Sequence, residues 1–286
     1  MAKLYLNTKK LNENINIIQN HCLSYNVEPL IVTKFLPKFF IKYLNIQKNC
    51  DDDLNKLLNE NSYLIKIPDK YDNFYNSTNV VITSKKHVCS RNINPLLLCY
   101  GKREGTKNPY DMIHYLLNYY NNNEIELGNH YGCIKDKISW KEIRKTENIK
   151  NYYNLKGLNL GGSNFLPLNK NKAKVMNKLR IGDAIYTGKL KYKNNLNLHK
   201  DVMFLEANIL DIKKEINSYK IVLDIGLIHF NNIFPICSNL KLIYKNFKYS
   251  LWITKEKYKI YDKIYFFIDP ESFYMSSNYL ETKLID

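Results

Sequence analysis

Apolar and polar positions in the first two thirds of the chain predict short strands that alternate with helices. Aliphatic, β-branched and aromatic runs predict strands at residues 4–6, 30–34, 64–67, 80–83, 96–100, 125–127, 158–160 and 179–181. Helices are predicted at 35–44, 109–120 and 140–148, and after a cap at Asn7 or Thr8. The helix that follows Asn7 or Thr8 has four apolar residues on one face: Leu11, Ile15, Ile18 and Cys22. Such alternation is typical of parallel βα units, so we expect an α/β barrel-like domain.

The last third of the chain has a different pattern. Strand-like runs follow one another with little helix between them, at residues 202–212, 219–228, 240–245, 249–254, 263–268 and 282–285. The preceding stretch, 191–200, is polar and poor in helix signals. We therefore expect two domains: an α/β barrel over 7–190 and an all-β domain over 200–286, which the strand at 3–6 joins.

Composition restricts the class of protein. The chain has 286 residues with 45% hydrophobic content, enough for a substantial core. No apolar run approaches the ~20 residues that span a bilayer, and the first residues lack the apolar centre of a signal peptide. Six cysteines are scattered without CxxC pairs. We expect a reduced, cytoplasmic protein without a metal site or a membrane partner.

The charge does not change this picture. The net charge of +16 comes from 43 basic and 27 acidic residues. The lysines are spread from Lys3 to Lys283 rather than gathered in one segment, which does not favour nucleic-acid binding. An AT-rich genome, which favours Lys, Asn, Ile and Tyr codons, explains the bias equally well.

Candidate chemistry begins with Lys34, at the carboxyl end of the strand at residues 30–34. Burial lowers the pKa of a lysine and makes it a usable amine nucleophile, as in Schiff-base lysines. The alternative is that Lys34 extends to solvent at a strand end. In a βα barrel, functional residues lie at the carboxyl ends of the strands, so the other strand ends decide between the two interpretations.

Those strand ends supply anion-binding turns and cations. Gly161-Gly162-Ser163-Asn164 offers backbone N–H groups and a hydroxyl at a strand-to-helix turn, and Gly182-Asp183 begins another such turn. Arg103 and Arg180 also stand at strand ends. An amine, a phosphate site and a partner for a ring nitrogen together suit pyridoxal phosphate. For the two arginines, surface ion pairs are the alternative.

The sequence resembles the alanine racemase superfamily, the fold-type III pyridoxal-phosphate enzymes, and most closely its ornithine racemase-like branch. The motifs that carry this resemblance span nearly the whole chain in collinear order. They are Val32-Thr33-Lys34, Leu64 to Pro68, Arg103-Glu104-Gly105, Gly128 to Cys133, Gly161-Gly162-Ser163, Leu179 to Ile185, Phe204 to Ala207 and Met275 to Tyr279.

The resemblance implies a TIM-type (β/α)8-like barrel followed by a C-terminal all-β domain, and it assigns roles. Lys34 would form the internal aldimine and act as one base, and Arg180 would hydrogen-bond the pyridine nitrogen. Arg103 would lie near the cofactor's phenolic oxygen or the substrate carboxylate. The phosphate would be held by Ser163, Asn164, Gly182 and Asp183. The implied protein is a head-to-tail homodimer that racemises a free, basic amino acid.

Racemisation requires a second acid/base on the opposite face of the substrate. In alanine racemases a tyrosine from the partner subunit serves, and the corresponding position here is Leu227. Cys133 and His229 are the replacements that the sequence offers, and Cys133 fits the ornithine racemase-like pattern.

The sequence also departs from the family. No Asp-Ser-Arg motif occurs between Lys34 and Leu64, and the acidic patch at 51–53 is interpreted as the start of a helix, so the second strand unit of the barrel is expected to be reduced. The phosphate-binding tyrosine before the last strand is replaced near Ile268-Asp269-Pro270. The chain is therefore expected to be a shortened member, either a streamlined racemase or a pyridoxal-phosphate-binding protein without turnover.

Overall fold

The structure, a computed structural model, describes residues 1–53, 56–58, 62–65, 78–82, 93–101, 105–131, 137–190, 196–236 and 239–285. It begins with strand β1 (Lys3–Asn7) and helix α1 (Thr8–Leu23). The Asn7 side chain caps α1 by accepting a hydrogen bond from the Lys10 N–H at 2.8 Å. The four apolar residues predicted to share one face of α1 are buried, which confirms this helix.

Eight parallel strands form a closed barrel, because β9 pairs with β2 and each strand pairs with the next. This confirms the predicted fold class. The barrel strands are β2 (Glu28–Val32), β3 (Asn49–Asp51), β4 (Tyr63–Leu64), β5 (Thr78–Ile82), β6 (Ile93–Gly101), β7 (Glu126–His130), β8 (Gly157–Gly161) and β9 (Lys178–Ile181).

Helices surround the barrel and bury its outward-facing residues. They are α2 (Lys38–Ile41), α3 (Pro109–Leu116), α4 (Trp140–Tyr152), α5 (Lys170–Ala173) and α6 (Asp183–Thr187). Helix α4 packs against β6, β7 and β8, and α1 packs against β2 and α6. One large apolar cluster fills the layer between helices and strands, while a smaller cluster, which includes Leu30 and Leu96, lies inside the barrel.

The rest of the chain forms a second, mainly antiparallel sheet. Its strands are β10 (Met203–Lys214), β11 (Tyr219–Leu223), β12 (Ile233–Pro235), β13 (Lys241–Lys245), β14 (Ser250–Thr254), β15 (Lys263–Ile268) and β16 (Thr282–Ile285), with α7 (Pro270–Ser277) before the last of them. Strand β1 pairs antiparallel with β10 and parallel with β16. The proposed boundaries at residues 190 and 200 stay a prediction.

The helix predicted after Lys34 is wrong in extent, and the acidic patch begins at the end of a strand that was not predicted. The helix expected at 35–44 is reduced to the four residues of α2, which begins directly after Pro37. The first residue of the acidic patch, Asp51, ends strand β3, whose backbone pairs with β2 and β4. The second barrel strand is therefore present, although it has only three residues. The Lys56 N–H donates to the Asp53 carbonyl at 3.1 Å, and a helix that begins at this patch stays a prediction because residues 54 and 55 lie outside the described residues. Helix α7 and strand β12 were not predicted.

Candidate active site

The barrel interior opens at the carboxyl ends of its strands into a cavity of about 150 Å³. Its lining combines apolar walls with polar groups: Val32, Lys34, Phe35, Ile65, Val81, Leu98, His130, Gly161, Gly162, Ser163, Arg180, Gly182 and Asp183. A cavity of this volume accommodates a six-membered ring. The strand-end residues Lys34, Ser163, Arg180, Gly182 and Asp183, which were predicted from the sequence, thus line one cavity.

Lys34 lines this cavity directly after two residues that are held by hydrogen bonds. The Val32 carbonyl accepts a hydrogen bond from the Tyr186 hydroxyl at 2.5 Å, and the Thr33 N–H donates to the Cys50 carbonyl at 2.9 Å. The half-buried Lys34 places its Nζ 4.8 Å from the centre of the Phe35 ring. Within the part of the chain that the structure describes, Lys34 forms no ion pair, and its side chain is among those that line the cavity.

Asp51 anchors the same strand end from behind. Its buried carboxylate accepts a hydrogen bond from the Thr33 hydroxyl at 2.6 Å, and the Lys56 Nζ lies 3.9 Å away. Burial raises the pKa of the Asp51 carboxyl to about 6, against the opposing effects of the Thr33 hydrogen bond and Lys56. This contact places a titratable carboxyl against Thr33, the residue that precedes Lys34.

Arg180 enters the cavity from β9 and is almost fully buried. Its Nη1 donates to the Asn159 Oδ1 at 2.9 Å, and its Nη2 donates to the Asn129 carbonyl at 3.2 Å. The guanidinium passes over Gly161, where an added Cβ would lie 2.7 Å from the Arg180 Nη2 and 2.8 Å from the His130 Nδ1. The glycine at 161 therefore makes room for both side chains.

Two turns lie at the edge of the cavity, where the sequence predicts an anion-binding site. The Ser163 hydroxyl accepts a hydrogen bond from the Ala184 N–H at 3.1 Å, which ties the turn after β8 to the start of α6. Gly162 has φ of 139°, a backbone conformation that L side chains rarely adopt. Asn164, predicted to bind the cofactor with them, is fully buried and does not line the cavity.

His130 is a cavity residue that was not singled out from the sequence. It ends β7, where Glu126, Gly128 and His130 alternate along one face of the strand. The strand predicted at 125–127 ends before His130, so the prediction did not place His130 on the inward face of the barrel. The missed signal was the period-two pattern that continues past residue 127.

The remaining predicted residues are Arg103, Cys133 and His229. Arg103 and Cys133 lie outside the described residues. His229 lies in the C-terminal sheet, where its Nδ1 accepts a hydrogen bond from the Gly226 N–H at 3.0 Å. Burial lowers the pKa of His229, although Asp224 opposes this shift. With 6% of its surface exposed, His229 is held within its own turn and does not line the cavity.

Two features are absent from the described residues. No helix in this part of the chain has the length and apolar character needed to cross a bilayer. Across the same residues, no group of three or more His, Cys, Asp or Glu side chains is arranged to hold a metal ion.

Solved structures with this fold include two alanine racemases and an aldolase. Alanine racemase from Acinetobacter baumannii aligns with a TM-score of 0.73 at 11% identity, over 100% of this chain and 99% of that chain. D-threonine aldolase from Filomicrobium marinum aligns with a TM-score of 0.75 at 10% identity, over 94% and 88%. Alanine racemase from Bartonella henselae with covalently bound pyridoxal phosphate gives 0.70 at 12% identity, over 99% of each chain.

At these identities the likeness is one of fold, because one architecture hosts several reactions. Neither a protein-family profile nor a curated protein sequence matches the chain.

Proposed function

We propose that the chain binds pyridoxal phosphate through Lys34 and racemises a free amino acid, with ornithine and lysine as the first substrates to test. The observation that carries this proposal is that Lys34, Arg180 and the Ser163–Gly182 cradle line one cavity at the carboxyl end of a closed barrel. The Bartonella henselae alanine racemase, which has covalently bound pyridoxal phosphate on the same fold, supports the choice of cofactor.

The residues present fit this cofactor. The cavity supplies an amine at Lys34 and apolar walls such as Val81 and Leu98 for a ring. A cradle at its edge combines the Ser163 hydroxyl with turns that begin at Gly162 and Gly182. A Cβ at Gly182 would lie 3.3 Å from the Val32 Cβ, so a glycine keeps this cradle close to the strand that carries Lys34.

Each residue of the proposed site then has a specific role. Bound pyridoxal phosphate supplies an electron sink for the α-carbon. The Lys34 amine would remove or deliver the α-proton on one face of the substrate, and the Arg180 guanidinium would be the hydrogen-bond donor for the ring nitrogen. Ser163, Gly182 and Asp183 hold the phosphate, and Arg103 binds the phenolic oxygen or the substrate carboxylate.

The proton on the opposite face needs a second group, for which we propose Cys133. The hydrogen bond between His229 and its own turn argues against the other candidate. We also propose that the chain is a shortened, cytoplasmic, ornithine racemase-like homodimer. In such a dimer the turn that carries Leu227, whose side chain is 45% exposed, would close the partner subunit's barrel mouth.

The first experiment is the ultraviolet–visible spectrum of purified protein with added pyridoxal phosphate, followed by borohydride reduction and peptide mass spectrometry. We expect a visible band and a reduced cofactor adduct on Lys34. A colourless wild-type protein without the adduct would contradict the assignment of the cofactor.

The second experiment separates racemisation from passive binding. The loaded protein is incubated in deuterium oxide with ornithine, lysine or alanine, and α-deuteration and chirality are measured. We expect both enantiomers to appear with deuterium at the α-carbon. A protein that carries the adduct but exchanges no α-proton would be the alternative, a pyridoxal-phosphate-binding protein without turnover, and cleavage of D-threonine would point to an aldolase instead.

A further inference from the structure

The interior of the barrel holds a polar network below the cavity that the proposed function does not use. Its members are Tyr63, Glu126, Asn159 and Lys178, contributed by β4, β7, β8 and β9. The Glu126 carboxylate accepts hydrogen bonds from the Tyr63 hydroxyl at 2.8 Å and from the Lys178 Nζ at 2.6 Å. Glu126 is 3% exposed, so its charge is compensated inside the protein.

Asn159 extends this network to Arg180. Its Nδ2 donates to the Glu126 Oε2 at 3.3 Å, while its Oδ1 accepts from the Arg180 Nη1 at 2.9 Å. A carboxylate can only accept and a guanidinium can only donate, so the two partners together fix the orientation of the amide. Gly157 and Gly161, the neighbours of Asn159 on the inward face of β8, carry no side chain.

The charges of this region call for an anion. Lys178 and Arg180 are two residues apart on β9 and both face the barrel interior, where like charges repel strongly. Glu126 neutralises Lys178 directly and reaches Arg180 through Asn159. Two groups at the rim add to the balance: the Lys156 Nζ lies 3.8 Å from Glu126, and Glu28 lies 3.7 Å from Lys178.

The state of Glu126 is consistent with a counter-ion. Burial alone raises the pKa of its carboxyl, but Lys178, the Tyr63 hydroxyl and the Asn159 amide outweigh burial, so the net pKa is lowered. Glu126 therefore remains an anion at neutral pH.

We propose that Glu126, acting through Asn159, is a positioning residue that holds the Arg180 guanidinium at the floor of the cavity and sets the electrostatic potential at the bound ring. The cofactor half of this inference rests on the proposed function. Glu126 and Asn159 touch no reacting atom in this proposal; they act through Arg180.

The test compares Lys178→Met with the double variant Glu126→Gln/Lys178→Met. Lys178→Met removes the direct partner of Glu126 and keeps the Glu126 anion that reaches Arg180 through Asn159. The double variant removes this anion as well. If Glu126 serves Arg180, pyridoxal-phosphate affinity stays within about twofold of wild type in Lys178→Met and falls about tenfold in the double variant. Asn159→Leu, which breaks the bridge, behaves like the double variant.

A second readout separates positioning from general loosening. Relative to Lys178→Met, the double variant lacks an anion near the cofactor, which disfavours a protonated cation there, so the pH at which the visible band titrates falls by about one unit between these two variants. Circular dichroism verifies that each variant is folded. Equal affinity and equal titration midpoints in Lys178→Met and the double variant would overturn the proposal.

A cycle in the unliganded protein keeps this test independent of the cofactor. In the Lys178→Met background, Glu126→Gln is combined with Arg180→Met, and urea midpoints are measured. We expect Glu126→Gln to lower the midpoint when Arg180 is present and to leave it unchanged or raised when Arg180 is replaced. Additive midpoints would overturn the inference, whereas failure of wild type to take up pyridoxal phosphate would remove only the proposed function and the cofactor half.

Discussion

Two interior lysines, Lys34 and Lys178, stand at opposite ends of the barrel and have opposite surroundings. Lys178 is bound to the Glu126 carboxylate and the Tyr63 hydroxyl, both at 2.6 Å. Lys34 lies over the Phe35 ring, and no carboxylate among the described residues pairs with it. The same residue type is therefore saturated with partners at the amino end and available at the carboxyl end.

The difference shows that the partners of a buried lysine, more than its burial, decide what it can do. A paired ammonium stabilises the fold and is held in its protonated form, which has no lone pair for nucleophilic attack. A lysine without a counter-ion next to a cavity can give up its proton, and the resulting neutral amine can attack a carbonyl group. This division agrees with the general arrangement of βα barrels, in which function lies at the carboxyl ends of the strands and stability at the other end.

The largest expected effect comes from Lys34→Ala. We expect complete loss of the borohydride-trapped adduct with pyridoxal phosphate, because the amine that forms the bond is removed. Lys178→Met serves as the matched control, since it removes an interior lysine from the other end of the same barrel. Labelling of Lys178 in the wild-type protein, found by peptide mass spectrometry, would contradict the distinction between the two lysines.

The second effect is a loss of stability, and it depends on Lys178 rather than on Lys34. Lys178→Met leaves the Glu126 carboxylate without its nearest cation, which we expect to lower the free energy of unfolding by about 3 kcal/mol. Glu126→Gln/Lys178→Met should not recover this loss, because Arg180 then lacks the negative charge that reaches it through Asn159. Urea denaturation measures both, and a double variant more stable than Lys178→Met would show that Glu126 has no important partner besides Lys178.

Which of these residues could be predicted from sequence depends on the range of the contacts that define them. Lys34, Ser163, Arg180 and Gly182 each stand at a strand end, and a strand end is visible in the local pattern of apolar residues. A barrel gathers such ends at one mouth, so the cavity was predictable from the chain alone. The residues at the edge of the cavity belong to the motifs on which the family resemblance rests.

The network below the cavity was not predictable in this way. The bridge from Glu126 through Asn159 to Arg180 depends on the register between three strands, in which Gly128 lies opposite Asn159 and Gly161 lies opposite Arg180. Strand β3 was missed for a related reason. Its polar residues carry no strand pattern, and the flanking strands β2 and β4 impose its conformation.

The third prediction concerns Asp51, the buried carboxyl behind Lys34. Its pKa is raised to about 6 in the folded protein from an ordinary value of 3.8, so the folded state binds its proton more tightly than the unfolded state. Its stabilising contribution is complete below pH 3.8 and is lost as the pH rises through about 6.

Asp51→Asn should remove this dependence. Relative to the variant, wild type should lose about 2 kcal/mol of unfolding free energy between about pH 4 and pH 6, as followed by urea denaturation across that range. A constant difference between the two proteins over this window would show that the Thr33 hydroxyl and Lys56 fully compensate the buried charge.

The smallest effect separates the C-terminal sheet from the cavity. The His229 Nδ1 accepts the Gly226 N–H, an acceptor position that asparagine can reproduce and phenylalanine cannot. We expect His229→Phe to lower the free energy of unfolding by about 1 kcal/mol relative to His229→Asn, with α-proton exchange unchanged in both.

Protonation of His229 gives the same comparison a pH signature. Burial lowers its pKa, so its contribution to stability is present above the ordinary pKa of 6.5 and is lost as the pH falls through the lower, folded-state value. Wild type should therefore lose stability relative to His229→Asn in that acidic range. Loss of α-proton exchange in both folded variants would instead place His229 at a reaction centre, which a histidine held within its own turn does not provide.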